Sequence, residues 1–227
     1  LADFNGDGLA ELGIGRIPIR SGAAATAMLA KVMAFEQGIA QAPARGAVCY
    51  SDLPNGYNFE QVCSELWQHL PESMPKILIN RSAPDARAQV LNAINSGKFL
   101  INYSGHGSVA AWDGNILHRN DVANFTNTNN NLIIANMLTC LNGYYIQLVG
   151  DGLSEAMIKK NQGGAIVSWA SSGLTTPDIQ AIMATRFYQQ LNTGSMVRMG
   201  DFVRDAKTTI AGGLDVRLSW VLLGDPT

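Results

Sequence analysis

A mostly parallel α/β sheet with helices on both faces is the fold class this sequence predicts, and three observations predict it. Short apolar runs flanked by Gly or Asn recur along the chain, as buried strands do. Stretches with helical spacing of apolar residues separate them, and such alternation belongs to parallel sheets covered by helices on both sides. The 227 residues are also enough to bury a substantial core as one domain spanning 1–227.

In order, strands are predicted near residues 11–19, 46–51, 76–80, 98–104, 131–138, 163–169 and 218–223. Helices are predicted near 22–38, 58–70, 84–96, 151–160, 177–191 and 197–210. In the second helix Phe59, Val62, Cys63, Leu66 and Leu70 form a stripe at three- and four-residue spacing, and Asn58 with Gln61 reads as a capping box. The stretch Asn124 to Asn131 is the clearest polar loop. Gly13-Ile-Gly15 is only part of a dinucleotide fingerprint, with Pro18 where its third glycine belongs, and reads as strand interior. The methionines read as helix-face packing.

Composition excludes several classes of function. With 47% hydrophobic residues, 15% charged residues and a formal charge of -2, the chain carries neither a nucleic-acid patch nor a polybasic membrane anchor. No apolar run approaches the roughly 20 residues of a membrane span, and no signal-like start is present. The chain lacks an initiator Met and opens inside a motif, which predicts a piece of a longer precursor. HExxH, CxxC and Gly-x-Ser-x-Gly are all missing, which removes the common zinc, redox and serine-hydrolase signatures.

Two apolar runs end in reactive side chains. Phe99 to Gly105 delivers His106-Gly107, and Leu132 to Thr139 delivers Cys140. Chemistry in open parallel sheets collects beyond the carboxyl ends of strands, and a separation of 34 residues suits one crossover between neighbouring strands. Acyl transfer by a thiol needs a thiolate, a base that takes and returns the proton, and donors for the developing oxyanion. Cys140 is the candidate nucleophile, His106 the candidate base, and the amides of Gly107 and Cys140 the candidate oxyanion donors. The competing reading makes His106 a hydrogen-bonded turn residue and Cys140 a packing residue. Cys49, in the apolar run Ala47 to Tyr50, and Cys63, on the apolar helix stripe, are expected to behave as small free hydrophobes. His69 and His118 have no partner at suggestive spacing and read as solvated surface groups.

Several spaced motifs occur together and in order: Gly15-Arg-Ile-Pro18, the helix segment Lys31 to Glu36, Asn102-Tyr-Ser-Gly-His-Gly-Ser108 with Ala111-Trp112, Thr139-Cys-Leu-Asn-Gly143, Gly164-Ala-Ile-Val167 and Leu223-Gly-Asp-Pro-Thr227. In this the chain resembles the gingipain-type cysteine peptidases. The resemblance implies a caspase-like three-layer sandwich and a secreted or cell-surface bacterial endopeptidase acting on polypeptides. It also implies a His106–Cys140 dyad, and a preceding subdomain or propeptide as partner. Asp52 is then a candidate to orient His106 or line the pocket. The segment Ser168 to Gly173, with Trp169 and Ser171, is similar to the one that holds substrate backbone, and Trp169 is expected either to wall the pocket or to face the core. Arginine-specific members place an aspartate at the pocket floor, where this chain has Asn58, which supplies no charge to a guanidinium.

A last motif stands on its own chemistry. Asp3, Asn5, Asp7 and Glu11 fall at loop positions 1, 3, 5 and 9, with Gly8 at position 6 and the Leu9 carbonyl at position 7, a spacing suited to structural Ca2+. Ile14 stands where an EF-hand has its bidentate Glu, so the match is to a shorter loop; an Asp/Asn/Gly turn without metal is the alternative. Two functions follow from these readings. One is a cysteine endopeptidase, and the other a catalytically silent, calcium-stabilised binding or scaffold domain with a peptidase fold.

Overall fold

The structure, a computed structural model, describes residues 3–39, 46–128 and 131–227. Its centre is a six-stranded sheet of β1 (Ala47–Ser51), β2 (Lys76–Asn80), β3 (Leu100–Ser104), β4 (Ile133–Leu138), β5 (Ala165–Ser171) and β6 (Trp220–Gly224), in spatial order β2-β1-β3-β4-β5-β6. All neighbours run parallel except β6, which pairs antiparallel with β5. β1, β3, β4 and β5 are buried along their whole length. This is why they read as continuous apolar runs rather than alternating ones: helices cover both faces of the sheet.

The helices are α1 (Gly22–Ile39), α2 (Phe59–Trp67), α3 (Ala86–Asn95), α4 (Leu153–Lys159), α5 (Pro177–Thr193), α6 (Met199–Thr208) and α7 (Leu214–Ser219). The step β1–α2–β2 runs towards one edge, whereas β2–α3–β3 and β4–α4–β5 run the other way. Right-handed crossovers then put α2 on one face and α3 and α4 on the other. α5 packs on α2 and α6 on α5, so these three form one layer. α1 joins the opposite layer, where the buried Lys31 Nζ donates to Ile158 O and Lys160 O at the end of α4, both at 3.0 Å. Burial and the nearby Lys160 charge lower the Lys31 pKa to about 7. The direction of winding reverses between β1 and β3, so the crevice of the sheet opens at their carboxyl ends.

Three expectations need correction. Residues 11–19 do not form a strand; the segment is extended and touches the sheet through a single bridge, Arg16 to Leu223. α7 carried too short a pattern to be predicted. His118 is not a free surface group but caps the 3-10 turn Arg119–Asn124, its Nδ1 accepting from Asn120 N at 3.0 Å. In the polar loop 124–131, residues 129 and 130 lie outside the described residues.

The largest correction concerns the cysteines. Cys49 and Cys63 form a disulfide, with Cα atoms 5.8 Å apart, that ties β1 to the inner face of α2. Each was legible as a buried apolar position, but that both occupy the same spot depends on how α2 folds back over β1. Cys140 is the free cysteine. Native protein should therefore titrate one thiol, and reduced, denatured protein three. With the partners 14 positions apart in sequence, Cys49→Ser/Cys63→Ser should lower stability to urea by about 3 kcal/mol; equal urea midpoints for this variant and the oxidised protein would refute a stabilising disulfide.

Candidate active site at the carboxyl rim of the sheet

β3 and β4 pair in register, Ser104 opposite Leu138, and Gly105 N continues the ladder to Leu138 O at 3.2 Å. His106 and Cys140 each lie two residues beyond that pair, at the same rim. Adjacent strands lie about 4.8 Å apart, and residues two apart share a face. The surroundings agree. The exposed His106 ring meets Phe59 of α2 edge-on at 5.3 Å, and Cys140 sits against Thr175, just before α5 in the same layer.

The two side chains make no hydrogen bond to one another among the described residues. Instead the half-buried Cys140 Sγ accepts from Thr175 N at 3.4 Å and lies 3.5 Å from Thr175 O. Catalytic hydrogen bonds are commonly loose until substrate binds. The amides of Gly107 and Cys140 donate to nothing among the described residues, which leaves both free to receive an oxyanion. Gly107 is pressed against the residue that follows β4: a Cβ there would stand 2.6 Å from Thr139 Oγ1.

Asp52 lies one residue past β1, across the crevice from His106, and is 1% exposed. It touches His106 through the backbone rather than the ring. His106 N donates to its Oδ2 at 3.0 Å, and Leu53 N and Arg81 Nη1 donate to Oδ1 at 2.8 and 2.7 Å. Such close approach requires Gly105, where a Cβ would be 2.4 Å from Asp52 Cβ. Arg81 also pairs with Asp113, and Asp113 N donates to His106 O at 2.9 Å. Asp52, Arg81 and Asp113 therefore hold both main-chain groups of His106. Burial pushes the Asp113 carboxyl up, but the Arg81 hydrogen bond, the Gly114 N–H and the Arg81 and His106 charges outweigh it and hold the group below the usual carboxylate range. The hydrogen bond to Asp52 helps push the Arg81 guanidinium above its ordinary value.

Three substrate-binding expectations fare differently. Asn58 is exposed at the rim and caps α2, accepting from Gln61 N at 3.1 Å, while the Gln61 side chain turns to Glu65, so the box is only half made. Trp169 faces the core: it is 1% exposed and stacks on Phe187. Ser171 is also buried and shapes the turn after β5 by bonding Gly173 N and O. Sequence reasoning missed Arg81, Asp113 and Thr175, polar residues in loops whose meaning depends on what they face.

In the loop at 3–11 the side-chain oxygens accept the loop's own N–H groups. Asp3 takes those of Gly6, Asp7 and Gly8, Asn5 that of Asp7, Asp7 that of Leu9, and Glu11 that of Phe4. Arg217 and Arg204 fasten the loop by donating to Asp7 O and Glu11 O. The donors are all oxygen, as a hard cation requires. Among the described residues, however, no three His, Cys, Asp or Glu converge as a metal cage.

The model of peptidase family C25 matches residues 1–227. The chain belongs to this family. Its fold is similar to the Arg-specific cysteine proteinase gingipain R, with TM-score 0.80 at 19% identity, over 97% of this chain and 56% of that one. It is similar to a complex of Porphyromonas gingivalis RgpB pro- and mature domains, with TM-score 0.79 at 19% identity, over 98% and 57%. A Saccharomyces cerevisiae separase–securin complex matches with TM-score 0.61 at 14% identity, over 94% of this chain and 14% of that one. No curated protein sequence matches. The C25 chain thus spans little more than half of the gingipain chains, and its α/β sheet belongs with the caspase-like folds. No helix among its described residues is long and apolar enough to cross a membrane.

Arg81→Met would strand the buried Asp52 charge, and urea unfolding should show a loss of about 2 to 4 kcal/mol. For Asp113 the folded carboxyl is depressed, so its contribution is present above the unfolded value near 3.9 and lost as pH falls through the folded value. The stability gap between wild type and Asp113→Asn should close on acidification below about pH 4; a gap that stays constant would show that the Arg81 contact does not depend on the Asp113 charge.

Proposed function

We propose that this chain carries the catalytic centre of a secreted bacterial cysteine endopeptidase, with Cys140 as nucleophile and His106 as base. The observation that supports this reading is the in-register pairing of β3 and β4, since His106 and Cys140 each follow two residues beyond the last pair, Ser104 and Leu138. Family membership supports peptidase chemistry, and the Cys49–Cys63 disulfide supports an oxidising, extracytoplasmic location.

In the proposed reaction His106 takes the Cys140 proton and the sulfur attacks the peptide carbonyl carbon. The resulting oxyanion is received by the Gly107 and Cys140 N–H groups. As the C–N bond breaks, His106 returns the proton to the leaving amine, and a thioester remains. Water deprotonated by His106 then attacks the thioester carbon, releases the carboxylic acid and restores the thiol. Asp52 acts as a positioning residue through the His106 main chain. Asn58 at the rim brings no charge, so the proposed cleavage site is not restricted to Arg or Lys.

The second reading, a silent scaffold, draws on the contact of Cys140 Sγ with Thr175 rather than His106. Fluorogenic peptide libraries separate the two readings. Turnover should fall to background in Cys140→Ala and by about 1000-fold or more in His106→Ala, and iodoacetamide should modify Cys140 in the native protein. A full-length form without Cys140-dependent turnover would favour the scaffold.

Structural calcium at Asp3, Asn5, Asp7, Leu9 O and Glu11 is a separate proposal, supported by ligand spacing and by the all-oxygen donors. Chelation should lower the melting temperature, and calcium at about 100 times its dissociation constant should stabilise by about 2.7 kcal/mol. An unchanged melting temperature would leave the loop held by its own side-chain hydrogen bonds together with Arg217 and Arg204.

A further inference from the structure

Backbone pairing between β3 and β4 stops at the bond from Gly105 N to Leu138 O, one step before His106 and Cys140. From there the two chains diverge into separate loops. Leu141 takes a left-handed conformation with φ 61°, uncommon for a branched side chain, and turns the chain sharply after the nucleophile. The next residue, Asn142, is fully buried. Its Nδ2 donates to Ser108 O at 2.6 Å and approaches Ala111 O at 3.5 Å, both in the loop that carries His106 and Gly107. Its main-chain N donates to Cys140 O at 2.8 Å, and its main-chain O accepts from Ser154 N at 3.2 Å, at the start of α4.

The register makes this arrangement specific. Ser104 faces Leu138, and continuing in step sets position 106 beside 140 and 108 beside 142. The Asn142 amide thus supplies a cross-link where the ladder no longer can. One bond below the pair, Gly105 to Leu138, and one above it, Asn142 to Ser108, bracket His106 and Cys140. The assignment of the amide nitrogen follows from its partners: two carbonyl oxygens require a donor, and a flipped amide would aim oxygen at both.

We propose that Asn142 is a positioning residue that sets the separation and mutual orientation of Cys140 and His106 by fastening their loops to each other. The proposal rests on the peptidase reading for its kinetic consequence, but its structural claim stands without it. Asn142 touches no reacting atom. Its effect passes through the main chain on either side of the dyad, so its loss misplaces the sulfur and imidazole without removing either.

Asn142→Asp keeps the shape and removes the donor, turning an oxygen towards the two carbonyls. Asn127→Asp is the matched control. The Asn127 amide is equally buried and clamps Asn131 O and Gly164 O at 2.9 and 2.8 Å, at the opposite end of the sheet. Asn142→Asp should lower kcat on a fluorogenic peptide by about 100-fold, the loss that a misplacement of about 1 Å produces. KM should stay within about twofold, since the binding surface is untouched. Amide exchange across residues 106–111 should quicken by about tenfold as the loop is released. Asn127→Asp should lose stability and keep kcat within about twofold of wild type.

Unchanged kcat in Asn142→Asp, or an equal loss in Asn127→Asp, would overturn the proposal. If the wild-type protein itself hydrolyses no peptide, the peptidase reading fails while exchange at 106–111 still decides the clamp: acceleration confined to Asn142→Asp supports it, and matching rates overturn it. If Asn142→Asp does not fold, wild-type protein decides. The Nδ2 protons of Asn142 should exchange slowly and show proximity to Ser108 by nuclear Overhauser effects, and fast exchange without that proximity would overturn the clamp.

Discussion

The parallel, in-register pairing of β3 with β4 is the constraint on which the rest of the rim depends. A slip of one residue would turn every side chain of one strand to the opposite face. Cys140 would then face the layer of α3 and α4 while His106 faced α2. What prevents the slip is distributed: both strands are buried on both faces, β1 and β5 hold their outer edges, and Trp112 stacks on Tyr103 at 4.3 Å. The chemistry proposed for the site therefore rests on core packing more than on contacts between the reactive groups.

Around that pair the molecule spends most of its polar interactions on backbone. Asp52 and Asp113 do not orient an imidazole; they take hold of His106 N and O, and Arg81 joins them. A buried carboxylate with a guanidinium partner and two N–H donors is satisfied, so its burial is tolerated, and the loop it holds is rigid in consequence. The disulfide serves the same end from the other side, tying α2 and its Phe59 to β1.

Much of this was legible in the amino-acid sequence because period and punctuation are local. The six strands and six longer helices announce themselves through apolar runs, spacing and flanking Gly, Asn or Pro, and Cys140 and His106 stand out as reactive groups at strand ends. What was not legible depends on partners distant in the chain. Cys49 and Cys63 each look like a small hydrophobe until α2 folds over β1. Residues 11–19 have the composition of a strand, but only Arg16 finds an edge to join. Trp169 lies in a segment similar to a substrate-binding one, yet Phe187 of α5 stacks on it and buries it in the core. Arg81, Asp113 and Asn142 carry no motif at all, and only the tertiary structure reveals what they grip.

The closeness of Gly105 to Asp52 and of Gly107 to Thr139 has a consequence for how such a centre diversifies. Neither position admits even a methyl group without moving its neighbour, so the His106 loop is nearly closed to change. Freedom lies on the flanking segments, where Leu53 after β1, Asn58 before α2 and Leu174 after β5 are exposed. If the proposed chemistry holds, selection on what the cleft accepts works through few sites, and the His106–Cys140 pair is inherited unchanged while the accepted sequences drift.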